Sequence, residues 1–282
     1  MNCNELVEAL QAVLRGYVSD ADPVRLNGRW EPVGTLVRAV GGGALAADKL
    51  AEVMCVPEVV RDAAGQTRGV YPYFSAACAA RAFGLLRSGL GAENEAVCGQ
   101  RLRESIRPMV ARGGELAAGK GRVIERLWVC WVMMLLEQEL EVTAERGIVE
   151  RLWRGAMAEQ DGEGRWHRQD VETNLDAFVY DEFTAIHAAA NVGIAAGNAE
   201  LLKAVRRSVR YHVENTQPDN TTNQPWGLAG FAWFDEGREF AAQQVHDVRT
   251  WLANRGRTAG ADGGVPLVEG LIADAIVTLS RS

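Results

Sequence analysis

Residues 159–170 read EQDGEGRWHRQD, and within them Gln160, Gly164 and Trp166 form the pattern Q-x-x-x-G-x-W. Before this stretch, AERGIVERLWRGAMAEQ (residues 144–160) carries apolar residues at three- and four-residue spacing. After it, DVETNLDAFVYDEFTAIHAAAN (170–191) leads into another such pattern. The stretch is therefore a connection between two helices. In that setting Gly164 lets the chain reverse, Trp166 covers the end of the neighbouring helix pair, and Gln160 satisfies backbone groups left free at the C-terminus of the preceding helix.

The same grammar recurs outward from this point. G-R-W stands at 28–30 and again at 164–166, G-V-Y at 69–71, P-W-G at 225–227 and G-G-V at 263–265, each ahead of an apolar helical segment. A turn residue beside a plug, repeated once per helix pair, marks a repeat architecture in which no hairpin buries its own apolar face. Period-two runs rich in β-branched residues are missing, so the chain reads as all-α. Punctuation by Gly, Pro and Asn/Asp predicts helices near 4–18, 34–41, 45–55, 73–89, 93–112, 121–141, 143–158, 179–196, 198–215, 225–233, 236–253 and 266–280.

Their connections alternate. Those near 42–44, 90–92, 142, 197 and 234–235 are short, and those near 19–33, 56–72, 113–120, 159–178, 216–224 and 254–265 are long. Short connections force antiparallel neighbours, so strict alternation gathers the long loops at one end. Segments after long loops, such as FSAACAARAFGLL and VEGLIADAIVTL, are apolar nearly all round. Those after short loops, such as ELLKAVRRSVRYHVEN, are charged on one side. The expectation is one domain over 1–282, an (α/α)6 toroid of about twelve helices in inner and outer rings, with its mouth at the long-loop end.

Composition limits the function classes. A chain of 282 residues, 48% hydrophobic and 24% charged, is ordinary globular material. Its net charge of -7 repels phosphate backbones on average, which argues against nucleic acid. The N-terminus MNCNELVEAL has no signal-peptide pattern and no run of about 18 apolar residues occurs, so the expectation is a cytoplasmic protein without membrane contact. Cys3, Cys55, Cys78, Cys98 and Cys130 are odd in number with no C-x-x-C pair, which fits reduced thiols rather than a disulfide framework or zinc site. His167, His187, His212 and His246 lack metal-ligand spacing, so neither a metal nor a cofactor is expected.

Q-x-x-x-G-x-W and its repetition resemble two toroid families. In the terpenoid cyclase and protein prenyltransferase superfamily, such loops precede inner helices. In the six-hairpin glycosidase-like superfamily, with its unsaturated uronyl hydrolases and some polysaccharide lyases, a D-G-x-W loop does. The resemblance spans the whole chain in architecture and about a dozen residues in motif. This sequence departs from the first family: it has no D-x-D-D acid motif and no Asp, Cys and His placed to hold zinc. The Cys followed by Cys-His of lanthionine-forming toroids is missing too.

The candidate chemistry lies mainly on 170–191. Tyr180, Thr184, His187 and Asn191 fall at spacings of four, three and four and share one helix face. That stripe is either a buried hydrogen-bonding network sealing the centre or a row of reactive groups along the axis. Asp176, Asp181 and Glu182, taken as lying at the start of that helix, either balance its dipole or act as acid and base across a glycosidic bond, Asp181 and Asp176 before Glu182. Catalytic candidates are thus Asp181, Asp176, His187 and Tyr180. HVENTQPDNTTNQPWG (212–227) offers Asp219, Asn223 and Trp226 for sugar hydroxyls and faces, and Trp30, Tyr71, Tyr73, Trp166 and His167 belong to equivalent loops. These read as substrate-binding candidates at the rim, or as structural plugs.

The leading expectation is a carbohydrate-active toroid, a glycoside hydrolase or polysaccharide lyase acting on an oligosaccharide. The alternative is a non-catalytic toroid binding a glycan, a peptide or another protein. Third stands an isoprenoid-handling toroid, disfavoured by the missing acid and zinc motifs. Convergence of Asp176, Asp181, His187 and Asp219 favours the enzyme, whereas dispersal, or pairing with arginines such as Arg81 or Arg122, favours the binder or a purely structural role.

Overall fold

The computed structural model describes residues 2–18, 25–26, 29–30, 32–42, 71–119, 121–143, 146–167, 175–216, 225–247 and 267–281. The chain is all-α. Its helices are α1 (Cys3–Val18), α2 (Pro32–Val40), α3 (Tyr71–Leu86), α4 (Ala92–Ala117), α5 (Val123–Leu140), α6 (Arg146–Glu159), α7 (Leu175–Ala196), α8 (Ala199–Asn215), α9 (Leu228–Trp233), α10 (residues 238–247) and α11 (Leu267–Ser280). One small departure is an antiparallel ladder of two-residue strands, β1 (Arg25–Leu26) and β2 (Arg29–Trp30), with Arg25 opposite Trp30. The helix expected near 45–55 and the loops near 56–70 and 254–265 lie outside the described residues.

Local chemistry explains the starts of two helices. Asn2 and Glu5 cap α1 reciprocally: the Glu5 N–H donates to Asn2 Oδ1 at 2.9 Å and the Asn2 N–H to Glu5 Oε2 at 2.8 Å. Asn198 accepts the Leu201 N–H at 3.1 Å to start α8. The long loop expected at 113–120 is mostly helix, because α4 runs on to Ala117. Gly113 does not break it, since the missing side chain is what lets α5 approach: a Cβ there would lie 3.1 Å from the Met133 sulfur. α7 starts at Leu175, a turn earlier than the apolar spacing predicts, so Asp181 and Glu182 sit two turns inside it. The helix dipole fades within the first turn and does not account for them.

Two burial patterns separate the helices. α8 buries one stripe, Leu201, Ala204, Val205, Ser208, Val209 and His212, at three- and four-residue spacing. α5 is buried almost all round, from Val123 through Met133 and on to Leu136. The all-round type packs in a closed cycle: α2 on α3, α3 on α5, α5 on α7, α7 on α9, α9 on α11 and α11 back on α2. α1, α4, α6 and α8 lie against this cycle from outside. Contacts at the N-terminal ends pair N-terminal residues (Tyr73 with Glu125, Tyr180 with Trp226), and those at the C-terminal ends pair C-terminal ones (Glu139 with Arg281), so the cycled helices run in one direction.

The middle of the cycle is filled. Trp128 and Trp131 are fully buried, Phe74 meets Trp128 edge-on with ring centroids 5.5 Å apart, and α11 touches both α3 and α7.

Candidate functional site

The Gln160 to Trp166 stretch closes on itself and on the next outer helix. Gln160 Nε2 lies 2.9 Å from the carbonyls of Gly164 and Ala204 and 3.1 Å from Ser208 Oγ, and Arg207 donates to its Oε1. Gln160 thus ties its loop to the middle of α8; the end of its own helix, the partner expected from sequence, is not where its side chain goes. Gly164 has φ +101°, and a Cβ there would lie 2.8 Å from the Arg207 carbonyl carbon. Both the left-handed backbone and the close approach require glycine. Trp166 is 4% exposed, a plug.

Glu182 anchors this loop from α7. Its carboxylate accepts the backbone N–H of Trp166 at 3.0 Å and of His167 at 2.8 Å, with His167 Nδ1 at 3.0 Å and His212 Nε2 at 3.6 Å. Burial raises this carboxyl, yet the imidazoles of His167 and His212 on either side more than offset it and hold it at about 2. Sequence reasoning ranked Glu182 last among the acids. The signal that could have found it was its place on the helix face turned toward the motif loop rather than along the axis.

Along the axis, the polar stripe of α7 meets α3 and α11. His187 Nε2 is 3.1 Å from Asp274 Oδ2, and Asn191 Nδ2 donates to that oxygen at 2.6 Å. Arg81 Nε donates to Asp274 Oδ1 at 3.3 Å, and another of its nitrogens donates to Thr278 Oγ1 at 2.8 Å. Thr278 in turn donates to Asn191 Oδ1 at 2.7 Å. The Arg81 guanidinium lies 4.6 Å from the Trp131 ring centre, and His187 stacks on Trp128. Burial pushes the Asp274 carboxyl up, but the His187 hydrogen bond and the Arg81 charge leave it below its ordinary value. Arg81, His187, Asn191, Asp274 and Thr278 are all hydrogen-bonded to one another, as a buried network requires, whereas the buried indole nitrogens of Trp128 and Trp131 find no acceptor among the described residues. The sequence contains Arg81, Asp274 and Thr278 without periodic or motif signals, and only packing assembles them.

At the N-terminal ends of the cycled helices, Arg122 pairs with Asp181 at 2.9 Å, both partly exposed. Tyr180, beside this pair, meets Trp226 edge-on at 4.9 Å, and burial pushes its hydroxyl up to about 12. Tyr73 is buried and donates to Glu125 Oε1 at 3.3 Å; Glu125 also takes Arg112 and the Arg122 N–H. Tyr73 is therefore inside the wall rather than on the rim, because the first turn of α3 packs directly on α5.

The structure thus brings together Asp181, Tyr180 and Trp226, and sends His187, Tyr73, Trp166 and His167 into interior contacts. Asp176 lies in the first turn of α7, Tyr71 begins α3 and Trp30 ends β2, while Asp219 and Asn223 lie outside the described residues. Among the described residues, no group of three or more His, Cys, Asp or Glu is arranged to hold a metal ion, and no helix is long and apolar enough to cross a membrane. Cys78 and Cys130 are free and buried, and burial pushes the Cys130 thiol up to about 12, an inert state. Comparison with protein-family models, with curated proteins and with solved structures returns no match.

Proposed function

We propose that the chain is an (α/α)6 toroid of the six-hairpin glycosidase-like kind that binds an oligosaccharide, or a similar small polar ligand, without cleaving it. The binding face is the N-terminal end of the inner helices α2, α3, α5, α7, α9 and α11. One observation carries the reading: Glu182 on α7 and Asp274 at the axis are held as anions by donors, and Asp181 is taken up in an ion pair. Asp181 is paired with Arg122, Glu182 is held at about 2, and Asp274 lies below its ordinary range. Glycoside cleavage needs one carboxyl kept protonated, with a raised pKa. The partly exposed Tyr180 and Trp226 supply an aromatic face, and Arg122 and Asp181 supply charged hydrogen-bonding groups for hydroxyls beside it. An isoprenoid-handling toroid fits less well, since Trp128, Trp131 and Phe74 fill the space where such a ligand would lie.

The test is a panel of neutral and uronide-containing oligosaccharides, with binding followed by ligand-observed NMR and products by chromatography. Binding without products, weakened about tenfold or more by Trp226→Ala, is the expected result. Products that vanish on Asp176→Asn or Asp181→Asn would return the hydrolase or lyase reading. Absence of binding to the whole panel would overturn the carbohydrate assignment.

A further inference from the structure

We infer that His187 is a positioning residue: it carries its proton on Nε2 and uses Nδ1 to hold the start of α9, and with it Trp226, against Tyr180. The functional consequence rests on the binding face proposed above; the tautomer and the placement do not.

The argument starts from donors and acceptors. Ala229 donates its backbone N–H to His187 Nδ1 at 3.3 Å, so that nitrogen presents a lone pair and bears no hydrogen. On the other side of the ring, Asp274 Oδ2 lies 3.1 Å from Nε2. Asp274 is fully buried and already accepts from Arg81 Nε and Asn191 Nδ2, nitrogens that can only donate, as a carboxylate does. Nε2 must then donate. The neutral Nε2–H imidazole is the single form that satisfies both contacts, and Asp274 selects it.

What this holds in place is a weak element. α9 has six residues, too few to be stable alone, and it begins two residues after Trp226. In its first turn the Leu228 N–H reaches the Pro225 carbonyl at 3.3 Å and the Gly230 N–H reaches the Gly227 carbonyl at 3.0 Å. The Ala229 N–H between them goes to His187 instead. His187 and Tyr180 share α7, seven residues apart, and Trp226 meets Tyr180 at 4.9 Å. One rigid helix therefore presents both the aromatic partner of Trp226 and the acceptor that fixes the turn carrying it. Trp128 stacks on the His187 ring at 5.9 Å and prevents it from turning away.

Nitrogen-resolved NMR of the full chain tests the tautomer directly. A His187 resonance pair with Nε2 protonated and Nδ1 bare near neutral pH is expected; protonation at Nδ1 would overturn the inference whatever any variant does. His187→Leu keeps volume and removes both hydrogen bonds, while His187→Gln retains an acceptor and a donor. In the leucine variant the Trp226 indole signal should shift while that of Trp166, in a separate loop, stays. The glutamine variant should restore part of the shift. Equal movement of both indoles would mean general loosening and would overturn the placement. For an oligosaccharide that binds the wild type, His187→Leu should weaken affinity by about tenfold. If no oligosaccharide binds the wild type, the proposed binding face fails, and the tautomer and the indole shifts still decide this inference.

Discussion

Arg81–Asp274 and Arg122–Asp181 are the same chemical pair in two solvents. The first spans 3.3 Å with side chains 2% and 0% exposed; the second spans 2.9 Å with side chains 37% and 24% exposed. The shorter pair is the less consequential one. At the rim, water screens the charges and replaces either partner when it leaves. At the axis nothing replaces a lost partner, so Asp274 is tied into a network with His187, Asn191 and Thr278 that joins α3, α7 and α11. Burial, and not distance, decides which pair maintains the structure and which stays open to solvent.

The largest effect should follow Asp274→Ala, which strands the Arg81 charge and should cost about 3 to 5 kcal/mol in denaturant unfolding. A loss below about 1 kcal/mol would erase the contrast with the rim.

Glu182 extends the comparison to pH. Its ordinary carboxyl value is 4.5 and its folded value is about 2, so between these the unfolded chain binds the proton more readily. The stabilisation is therefore full above about pH 4.5 and disappears as pH falls toward 2, an amount on the order of 3 kcal/mol. Asp274, also lowered, acts in the same direction. Stability of the wild type and of Glu182→Gln, measured from pH 7 down to pH 2, should converge at the acid end. A gap that stays constant would place the contribution in packing.

Gly164→Ala meets both a left-handed backbone and the Arg207 carbonyl carbon, and should lower stability by about 1 to 3 kcal/mol. Gly162→Ala, with open space around it, is the control that should lose much less.

The smallest change in stability should come from Asp181→Asn, at most about 1 kcal/mol by thermal melting. If its melting curve moves as far as that of Asp274→Ala, the rim pair is structural and the proposed binding face loses a charged member.

The fold class was legible because helical periodicity is local: each apolar stripe is written in consecutive residues and needs no partner to be read. The plug role of Trp166 was legible for the same reason, since Gly164 announces the turn beside it. The sealing stripe of Tyr180, Thr184, His187 and Asn191 was half legible. Its spacing identified one shared face, but Tyr180 reaches the rim whereas His187 and Asn191 meet Asp274 deep inside. Glu182 was misjudged because a turn's difference in where α7 begins changes what surrounds its side chain. Gly113 misled in the opposite sense, being a packing glycine that resembled a loop glycine.

Sequence by itself determined that the chain is helical and that a turn residue beside an aromatic or apolar residue repeats ahead of its apolar segments. Only the tertiary structure decided which charges met. Asp274 and Arg81 stand 193 residues apart, and Asp274 and His187 stand 87 apart. No local rule links such positions, because their interaction energy exists only after the closed cycle of helices has removed water from between them.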